Sequence, residues 1–433
     1  MILIGELCLW IALLMAAWGA TVSFAAVATG RTDLGASGRR AVYVAAASLL
    51  LANVGVIAAL LSRDFSFAYV ARHVSLDLPR PYVVSALWSG TAGSLLVAAF
   101  ALSALGSLAV VSGATRSRPA STWVAGTIAA LLLAMVLMLC FVRNPYERLG
   151  WLTGDGLGLD PILRHAEMVL PRLAELIGMA AVATGAAVVA GAYASPAPRR
   201  PVAVLTRPWL LPAWILLSFG LALEMRGTYA YSAEGGVWRW TPFAATAFAL
   251  WVLAGAALHL RGGRRHWRVG EHLSHIGAAI VALALVAGAY SRSHQLELRT
   301  GQASRLTDPL GHQWRFVSQG VSRYGTADHD VTAVSLESWR DGAPRGLVVS
   351  ERLDYKTAQG GGTAVLLPAL RATPLVDLRV AVDATDGDLA HVQVTFVPLA
   401  GALWLGAALL VLGGLAAMLP VAPSPGAAPG SES

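Results

Sequence analysis

The chain has 433 residues, of which 56% are hydrophobic and only 13% charged. That balance excludes a soluble globular protein of this length and indicates an integral membrane protein. The formal net charge of +7 falls largely in short loops between apolar runs, so it reads as a topology signal and not as a nucleic-acid footprint.

Nine apolar runs come near the 20 residues needed to cross roughly 30 Å of hydrocarbon at about 1.5 Å per residue. They cover 5–28, 41–62, 92–113, 122–143, 171–194, 209–226, 242–260, 272–290 and 399–420. The first run lacks a basic leading region and a small-residue cleavage site, and is expected to be a retained helix. Arg31, Arg39 and Arg40 fall between the first two runs. Arg116 and Arg118 follow the third, Arg199, Arg200 and Arg207 the fifth, and Arg261, Arg264, Arg265 and Arg268 the seventh. Arginine in short loops marks the cytoplasmic side. The expectation is therefore an N-terminus outside the cytoplasmic membrane and a Pro/Gly/Ser tail, 424–433, inside. Cys8 and Cys140 lie in separate runs with no C-x-x-C in the chain. This disfavours a thiol–disulfide carrier, a zinc site or a covalently held haem, and both cysteines read as small buried hydrophobes.

Between the last two runs the pattern changes from helical to alternating. "DVTAVSLESW" (330–339) alternates polar and apolar, "RDGAP" (340–344) reads as a turn, and "LRVAVDATDGDLAHVQVTF" (378–396) brackets Asp386-Gly387 with two strand-like runs. The expected architecture is an all-α polytopic membrane protein of about nine transmembrane helices, with one small antiparallel β domain on the outer face. Its divisions would be 1–290, 291–397, 398–420 and a tail at 421–433. The β domain, without disulfide or obvious site chemistry, is expected to dock or scaffold.

Histidine is costly near hydrocarbon, and three lie at span ends: His259 closing the seventh run, His272 and His275 opening the eighth. If those two helices are antiparallel neighbours, His259 and His275 face each other at similar depth. Two neutral imidazoles on facing helices form an axial pair for a b-type haem. The plainer alternative is that all three reach the interface beside the arginines. "GGVWRWTPF" (235–243) places Trp238 and Trp240 just before the same helix. Trp240 stands about 28 Å from His259 along it, so the tryptophans contact something else. An interfacial aromatic belt is one reading; a flat ligand approached through Gly235 and Gly236, with Pro242 starting the helix, is the other.

At this point a family resemblance enters. "GGVWRWTPFAATAFALWVLAGAALH" (235–259) resembles the tryptophan-rich signature of haem-handling cytochrome c biogenesis proteins, in particular the CcmF/NrfE haem lyase branch. "DFSFAYVARH" (64–73) with "LPRPYVVSALWSGTAGSLL" (78–96) resembles that branch's first outer loop. "NPYERL" (144–149) with "DGLGLDPILR" (155–164) resembles its second. "HLSHIGAA" (272–279) resembles its haem-ligand helix, and "SERLDY" (350–355), "LVDLRVAV" (375–382) and "VPLAGALWLGAALLVLGG" (397–414) resemble its β domain and last helix. The resemblance implies a short, divergent haem lyase. Such a protein takes haem from a haem-loaded periplasmic chaperone and attaches it to the C-x-x-C-H thiols of apocytochrome c, alongside other maturation subunits. It also implies a haem b between His259 and His275. Trp238, Trp240, Gly235, Gly236 and Pro242 would form an outer haem surface, with Trp88, Gly90, Gly93 and Ser94 on the first-loop motif.

The chain departs from that pattern. In "MVLPRLAEL" (168–176) Pro171 stands where the family has an outer haem-ligating histidine, and "LRGGRRHWRVGE" (260–271) replaces a multi-helix block carrying the second. Thr241, Ala244 and Ala245 replace polar residues of the tryptophan signature, and Thr91-Ala92 a His-Glu pair. His73 and His165, in outer loops, are the available substitutes, although solvated loop histidines describe both as well. Three functions follow: a haem lyase completed by partner subunits, a non-catalytic b-haem protein for electron transfer or haem relay, and a haem-free assembly scaffold. No P-loop, Rossmann, H-E-x-x-H or G-x-S-x-G pattern competes.

Overall fold

A computed structural model describes residues 2–112, 118–150, 153–194, 202–231, 238, 241–259, 269–288, 290–326, 329–355 and 364–418. Nine of its helices are long and apolar enough to cross a membrane. They are α1 (Ile2–Thr29), α2 (Thr32–Leu61), α5 (Thr91–Val111), α6 (Arg118–Phe141), α7 (Ala166–Tyr193), α8 (Val202–Tyr231), α9 (Pro242–His259), α10 (Val269–Gly288) and α11 (Ala400–Met418). Two short helices, α3 (Ala68–His73) and α4 (Arg80–Ser85), sit in the loop before α5.

Hydropathy undershoots two of these helices. α2 starts at Thr32, well before the apolar run at 41, and α8 runs from Val202 to Tyr231, past both ends of 209–226. The extra turns of α2 carry Thr32, Asp33, Arg39 and Arg40, and those of α8 carry Thr206 and Arg207, which lower the local hydropathy while backbone hydrogen bonding continues the helix. Pro208 and Pro212 lie inside α8 without ending it, as neighbouring helices allow in membrane bundles.

Helices α1, α2, α5, α6 and α7 share one apolar core through Leu9, Leu49, Leu96, Ile128, Leu132 and Val188. Close approach depends on small residues, because lipid offers no hydrophobic drive for helix association. A Cβ on Gly38 of α2 would lie 2.1 Å from the Ser23 hydroxyl of α1. Helix α8 packs on α7, then receives α9 and α11, while α10 packs on α11. Only 17% of the most apolar stretch of α9, and of α10, is buried, against 33–56% in the other seven. The α9–α10 side is thus the open side of the described helices.

The β domain is built from β1 (Arg292–Leu298), β2 (Ala303–Thr307), β3 (Gln313–Gly325), β4 (His329–Arg340), β5 (Ala343–Tyr355), β6 (Ala364–Leu367), β7 (Ala369–Arg371), β8 (Val376–Asp386) and β9 (Leu389–Pro398). They form two antiparallel sheets, ordered β1-β9-β8-β7 and β2-β3-β4-β5-β6. Their inner faces meet over Trp314, Phe316, Leu336, Val394 and Phe396. Phe316 and Phe396 are fully buried, each contributing about 1.5–3 kcal/mol of apolar transfer.

The β4–β5 turn falls where the sequence places it, with Asp341 and Gly342 both at positive φ, the primed geometry that suits a twisted hairpin. The second hairpin turns one residue later than expected. Asp386 pairs with Leu389, so Gly387, at φ +59, occupies the first central position, where glycine is favoured. The domain sits on the end of the bundle where α8 and α10 finish and α11 begins. There Tyr229 donates to Asp377 Oδ2 at 3.2 Å, and Arg164 lies over the Tyr355 ring.

Candidate functional site

Two sites lie at opposite ends of the helices. At the end away from the β domain, His259 closes α9 and His275 follows the first turn of α10. His259 Nδ1 lies 2.6 Å from the Gly255 carbonyl oxygen and His275 Nδ1 2.5 Å from that of Glu271. Each Nδ1 must therefore carry the proton and donate it, which fixes the tautomer and turns the Nε2 lone pair outward. The two Nε2 atoms face each other at 2.9 Å. Two lone pairs do not attract. A proton or a metal between them resolves the contact.

The position of His275 is set by glycines. A Cβ on Gly270 would lie 2.5 Å from the Gly413 carbonyl oxygen, and one on Gly277 2.7 Å from that of Gly406. The backbones of α10 and α11 thus touch along a seven-residue glycine spacing, and His275 projects away from that seam. The pair opens into a cavity of ≈ 540 Å³ walled by Trp214, Trp251, Leu211, Ala278 and Gly414, with Arg207 and Glu271 also lining it. His272, one turn before His275, is not among the lining residues. Trp214 and Trp251 stack with centroids 5.7 Å apart and planes 17° from parallel, and Trp251 Nε1 donates to Ser218 Oγ at 2.7 Å.

This donor set fits a haem. Among the described residues no group of three His, Cys, Asp or Glu could hold a metal ion, so a zinc site, which takes at least three protein ligands, is not built here. Two axial imidazoles are what the iron of a porphyrin lacks. At metal–nitrogen bonds of about 2.0–2.1 Å the Nε2 atoms would need to part by roughly 1 Å.

Trp238 does not reach this cavity. It packs on Leu217, Leu221 and Ala247 and lies edge-on to Phe248 at 6.2 Å. It lines a second, almost wholly apolar cavity of ≈ 270 Å³ that shares Trp251 as a wall. Pro242 opens α9, and Thr241 Oγ1 accepts from the Ala244 amide at 3.1 Å as its cap. Ala244 is buried. Gly235, Gly236 and Trp240 lie outside the described residues.

The loop motifs make close internal contacts. The Tyr69 hydroxyl lies 2.9 Å from the carbonyl oxygens of both Ala86 and Leu87, and a Cβ on Gly93 would fall 1.7 Å from the Leu87 oxygen. Ser94 Oγ donates to the Trp88 carbonyl at 2.7 Å. His73 stacks on Tyr69 at 4.3 Å and lies so close over Gly90 that a Cβ there would meet its Nε2 at 2.4 Å. Burial pushes the His73 imidazole below its ordinary pKa. The two outer loops also clasp each other, Ala68 N–H donating to Glu147 O at 2.8 Å and Leu149 N–H to Ser66 O at 2.8 Å.

At the β-domain end Trp88 donates to the Val169 carbonyl at 3.0 Å. It lines a cavity of ≈ 210 Å³ with Pro171, Arg172, Glu175, Glu224 and Thr241. Trp88 and Trp238 therefore serve different cavities. Pro171, which the motif resemblance sets against an outer histidine, is part of this wall. His165 stacks on Tyr231 at 4.1 Å instead of lining it, and burial lowers its pKa. Arg172, Glu175 and Glu224 were not singled out from the sequence, although charged residues inside an apolar span are a signal for a site.

No family model matches the chain. It is 29% identical over 278 residues to the cytochrome c-type biogenesis protein ccl1 of Rhodobacter capsulatus, a match covering 60% of this chain and 42% of that one. To the cytochrome c-type biogenesis protein NrfE of Haemophilus influenzae it is 26% identical over 196 residues, covering 45% of this chain and 31% of the relative. The chain thus spans about two fifths or less of the length of these relatives. A solved structure of a cytochrome c heme lyase, CcmF, superposes with a TM-score of 0.77 at 17% identity, covering 97% of this chain and 98% of the other, which shows the fold. Sequence over more than half of the chain and fold over nearly all of it agree: the chain is similar to the CcmF/NrfE type of cytochrome c-type biogenesis proteins and shares the fold of the solved CcmF.

Proposed function

We propose that this chain acts in cytochrome c maturation, holding a b-type haem between His259 and His275 and assisting covalent attachment of haem to apocytochrome c at the outer face of the cytoplasmic membrane. Its partners in this reading are apocytochrome c, a haem-loaded periplasmic chaperone and other maturation subunits. The arginine-bearing loops support an N-terminus outside and a C-terminus inside, with the β domain outside. The observation that carries the reading is the pair of Nε2 atoms facing each other at 2.9 Å, each ring held by its own Nδ1 bond. His259 and His275 supply neutral axial donors, the Gly255 and Glu271 carbonyls hold their orientation, and Trp214 and Trp251 offer flat apolar walls. When bound, haem supplies a one-electron couple.

The test is spectroscopic. Oxidised and dithionite-reduced spectra of the purified protein are expected to show sharp reduced α and β bands that vanish in both His259→Ala and His275→Ala. A preparation that stays colourless after haem addition overturns the reading. Loss of holo-cytochrome c on deletion, restored by the wild-type chain, tests attachment. A second reading, a b-haem electron-transfer or relay protein without attachment activity, is favoured by Pro171 in the wall of the small outer cavity. It predicts the same spectrum with normal holo-cytochrome c after deletion.

A further inference from the structure

The cavity at the β-domain end carries a feature that haem ligation does not use. Glu175, in α7, is 1% exposed, and its Oε1 has no hydrogen-bond partner although it lines the cavity. A buried carboxylate oxygen without a donor costs several kcal/mol on the order of a lost charged hydrogen bond, so the site is built for a donor that arrives from outside. The fold makes room for this side chain. A Cβ on Gly220 of α8 would lie 2.5 Å from Glu175 Cγ, so only glycine there lets the carboxyl stand where it does.

The cavity's shape narrows the choice of donor. Its wall follows α7 from Met168 to Glu175, about 10 Å of helix at 1.5 Å per residue. For ≈ 210 Å³ that gives a channel of roughly 20 Å² in cross-section. Exposed Asp160 marks the mouth, and Ile162, Leu163, Met168 and Val169 make the walls apolar. Glu175 and Glu224 contribute the carboxyl groups deeper in. Arg172 lies 3.7 Å from the Phe243 ring centroid and also faces both deep carboxyls, which contact each other. Glu175 and Glu224 thus share one guanidinium, and a second cation at the open Glu175 Oε1 would balance the second carboxyl. Apolar walls above a carboxyl floor call for that charge at the end of an aliphatic stem.

We propose that this channel receives a lysine side chain of the polypeptide substrate, its ammonium group donating to Glu175 Oε1. The proposal rests on the reading that the chain handles apocytochrome c, and it adds a recognition pocket separate from the haem pair. The stem would lie along Met168 and Leu163, and the Trp88 ring at the wall adds a flat face to the passing cation.

The experiment uses the full chain in nanodiscs and three probes: n-butylammonium, a C-x-x-C-H peptide with one flanking lysine, and the same peptide with norleucine in that place. Calorimetric titration is expected to give the lysine peptide about tenfold tighter binding than the norleucine peptide, a difference near 1.4 kcal/mol. Glu175→Gln, isosteric and neutral, should bring the two peptides within about twofold. Leu163→Trp, which narrows the channel and leaves the carboxyls intact, should do the same, so the result does not depend on one variant folding. Equal binding of both peptides by the wild-type chain, or selectivity that survives both substitutions, overturns the proposal. So does binding of n-butylammonium alone, which would make the cavity a free-amine site, or binding of none of the three, which would leave it filled by water. The reduced haem spectrum of the same preparations reports His259 and His275 independently. A normal spectrum without lysine selectivity therefore sinks the pocket and spares the function.

Discussion

The two ends of this bundle hold their side chains in opposite ways. At the end away from the β domain, the histidines stand on separate helices that meet chiefly through their side chains, in a wide cavity of ≈ 540 Å³. At the β-domain end, the cavity is ≈ 210 Å³ and lies between α7, Glu224 of α8 and the loop that carries Trp88, a loop fixed by hydrogen bonds among Tyr69, Ala86, Leu87, Ser94 and Trp88. The histidine pair therefore depends on how α10 is seated on α11, and the outer cavity on local backbone fit. Substitutions that report on one end should leave the other in place.

The largest effect is expected at the glycine seam. Gly277→Leu puts a branched side chain where a Cβ alone would be 2.7 Å from the Gly406 carbonyl oxygen. Overpacking of that kind costs about 3 kcal/mol, and α10 can relieve it by moving off α11 and taking His275 with it. Reduced haem bands should fall to a small fraction of wild type, while hydrogen exchange in the loops before α5 stays unchanged. Full haem bands in Gly277→Leu would break the claim that the seam positions His275. Gly93→Ala is the converse. Its Cβ would lie 1.7 Å from the Leu87 oxygen, so residues 86–94 must shift at a cost of about 2 kcal/mol. Faster amide exchange in that loop with normal haem bands is the expected pair of results.

The comparison also shows what a sequence can reveal. Nine apolar runs were legible because a span needs a long unbroken stretch whatever its neighbours are. The Asp341-Gly342 turn was legible because it needs two residues that tolerate positive φ. His259 and His275 stood out because imidazole is rare near hydrocarbon. Glu175 was readable by the same rule and was overlooked, since one carboxylate in "MVLPRLAEL" is inconspicuous until Gly220 and Glu224 arrive from α8. Trp214 and Gly414 could not have been assigned to the histidine cavity from the sequence. One is 45 residues before His259 and the other 139 after His275 in the numbering, and only helix packing brings them together. Gly90 and Gly93, which the resemblance places on the first-loop motif, are in close contact with His73, Tyr69 and Leu87.

A smaller, pH-dependent effect belongs to the loop end. Burial is the main cause that holds the His73 pKa below 6.5, with Arg72 pushing the same way and the Tyr69 carbonyl opposing. The folded state thus prefers neutral imidazole. The stability this lends is complete above the unfolded pKa of about 6.5 and is lost as pH falls through it. Amides of α3 and of the turn before α5 should exchange several-fold faster at pH 5.5 than at pH 7.5 beyond the intrinsic change. His73→Phe, which keeps an aromatic ring on Tyr69, should remove that difference. Exchange that accelerates equally in the variant would show that His73 is not the titrating group.

The smallest expected effect lies in the β domain, far from both cavities. Asp341 accepts from the Gln313 amide at 2.8 Å and lies 2.8 Å from His312 Nδ1. The Gln313 bond first, then the His312 and Arg340 cations, hold its carboxyl below the ordinary value of 3.8. The folded state therefore favours the carboxylate. Its contribution is complete above about pH 4 and is lost as pH falls toward the lower folded value. Asp341 also sits at φ 51, so most substitutions would add backbone strain and blur the charge effect. Asparagine tolerates that conformation and still offers an oxygen to Gln313. Asp341→Asn should accordingly flatten the acid limb of sheet unfolding, followed by circular dichroism between about pH 4 and 2, and leave the neutral-pH stability nearly as it was. An unchanged acid limb would assign the loss of sheet at low pH to other carboxylates, with buried Asp377 at the junction with α8 excluded on sign. Burial raises the Asp377 pKa, so its protonation on acidification favours the folded domain.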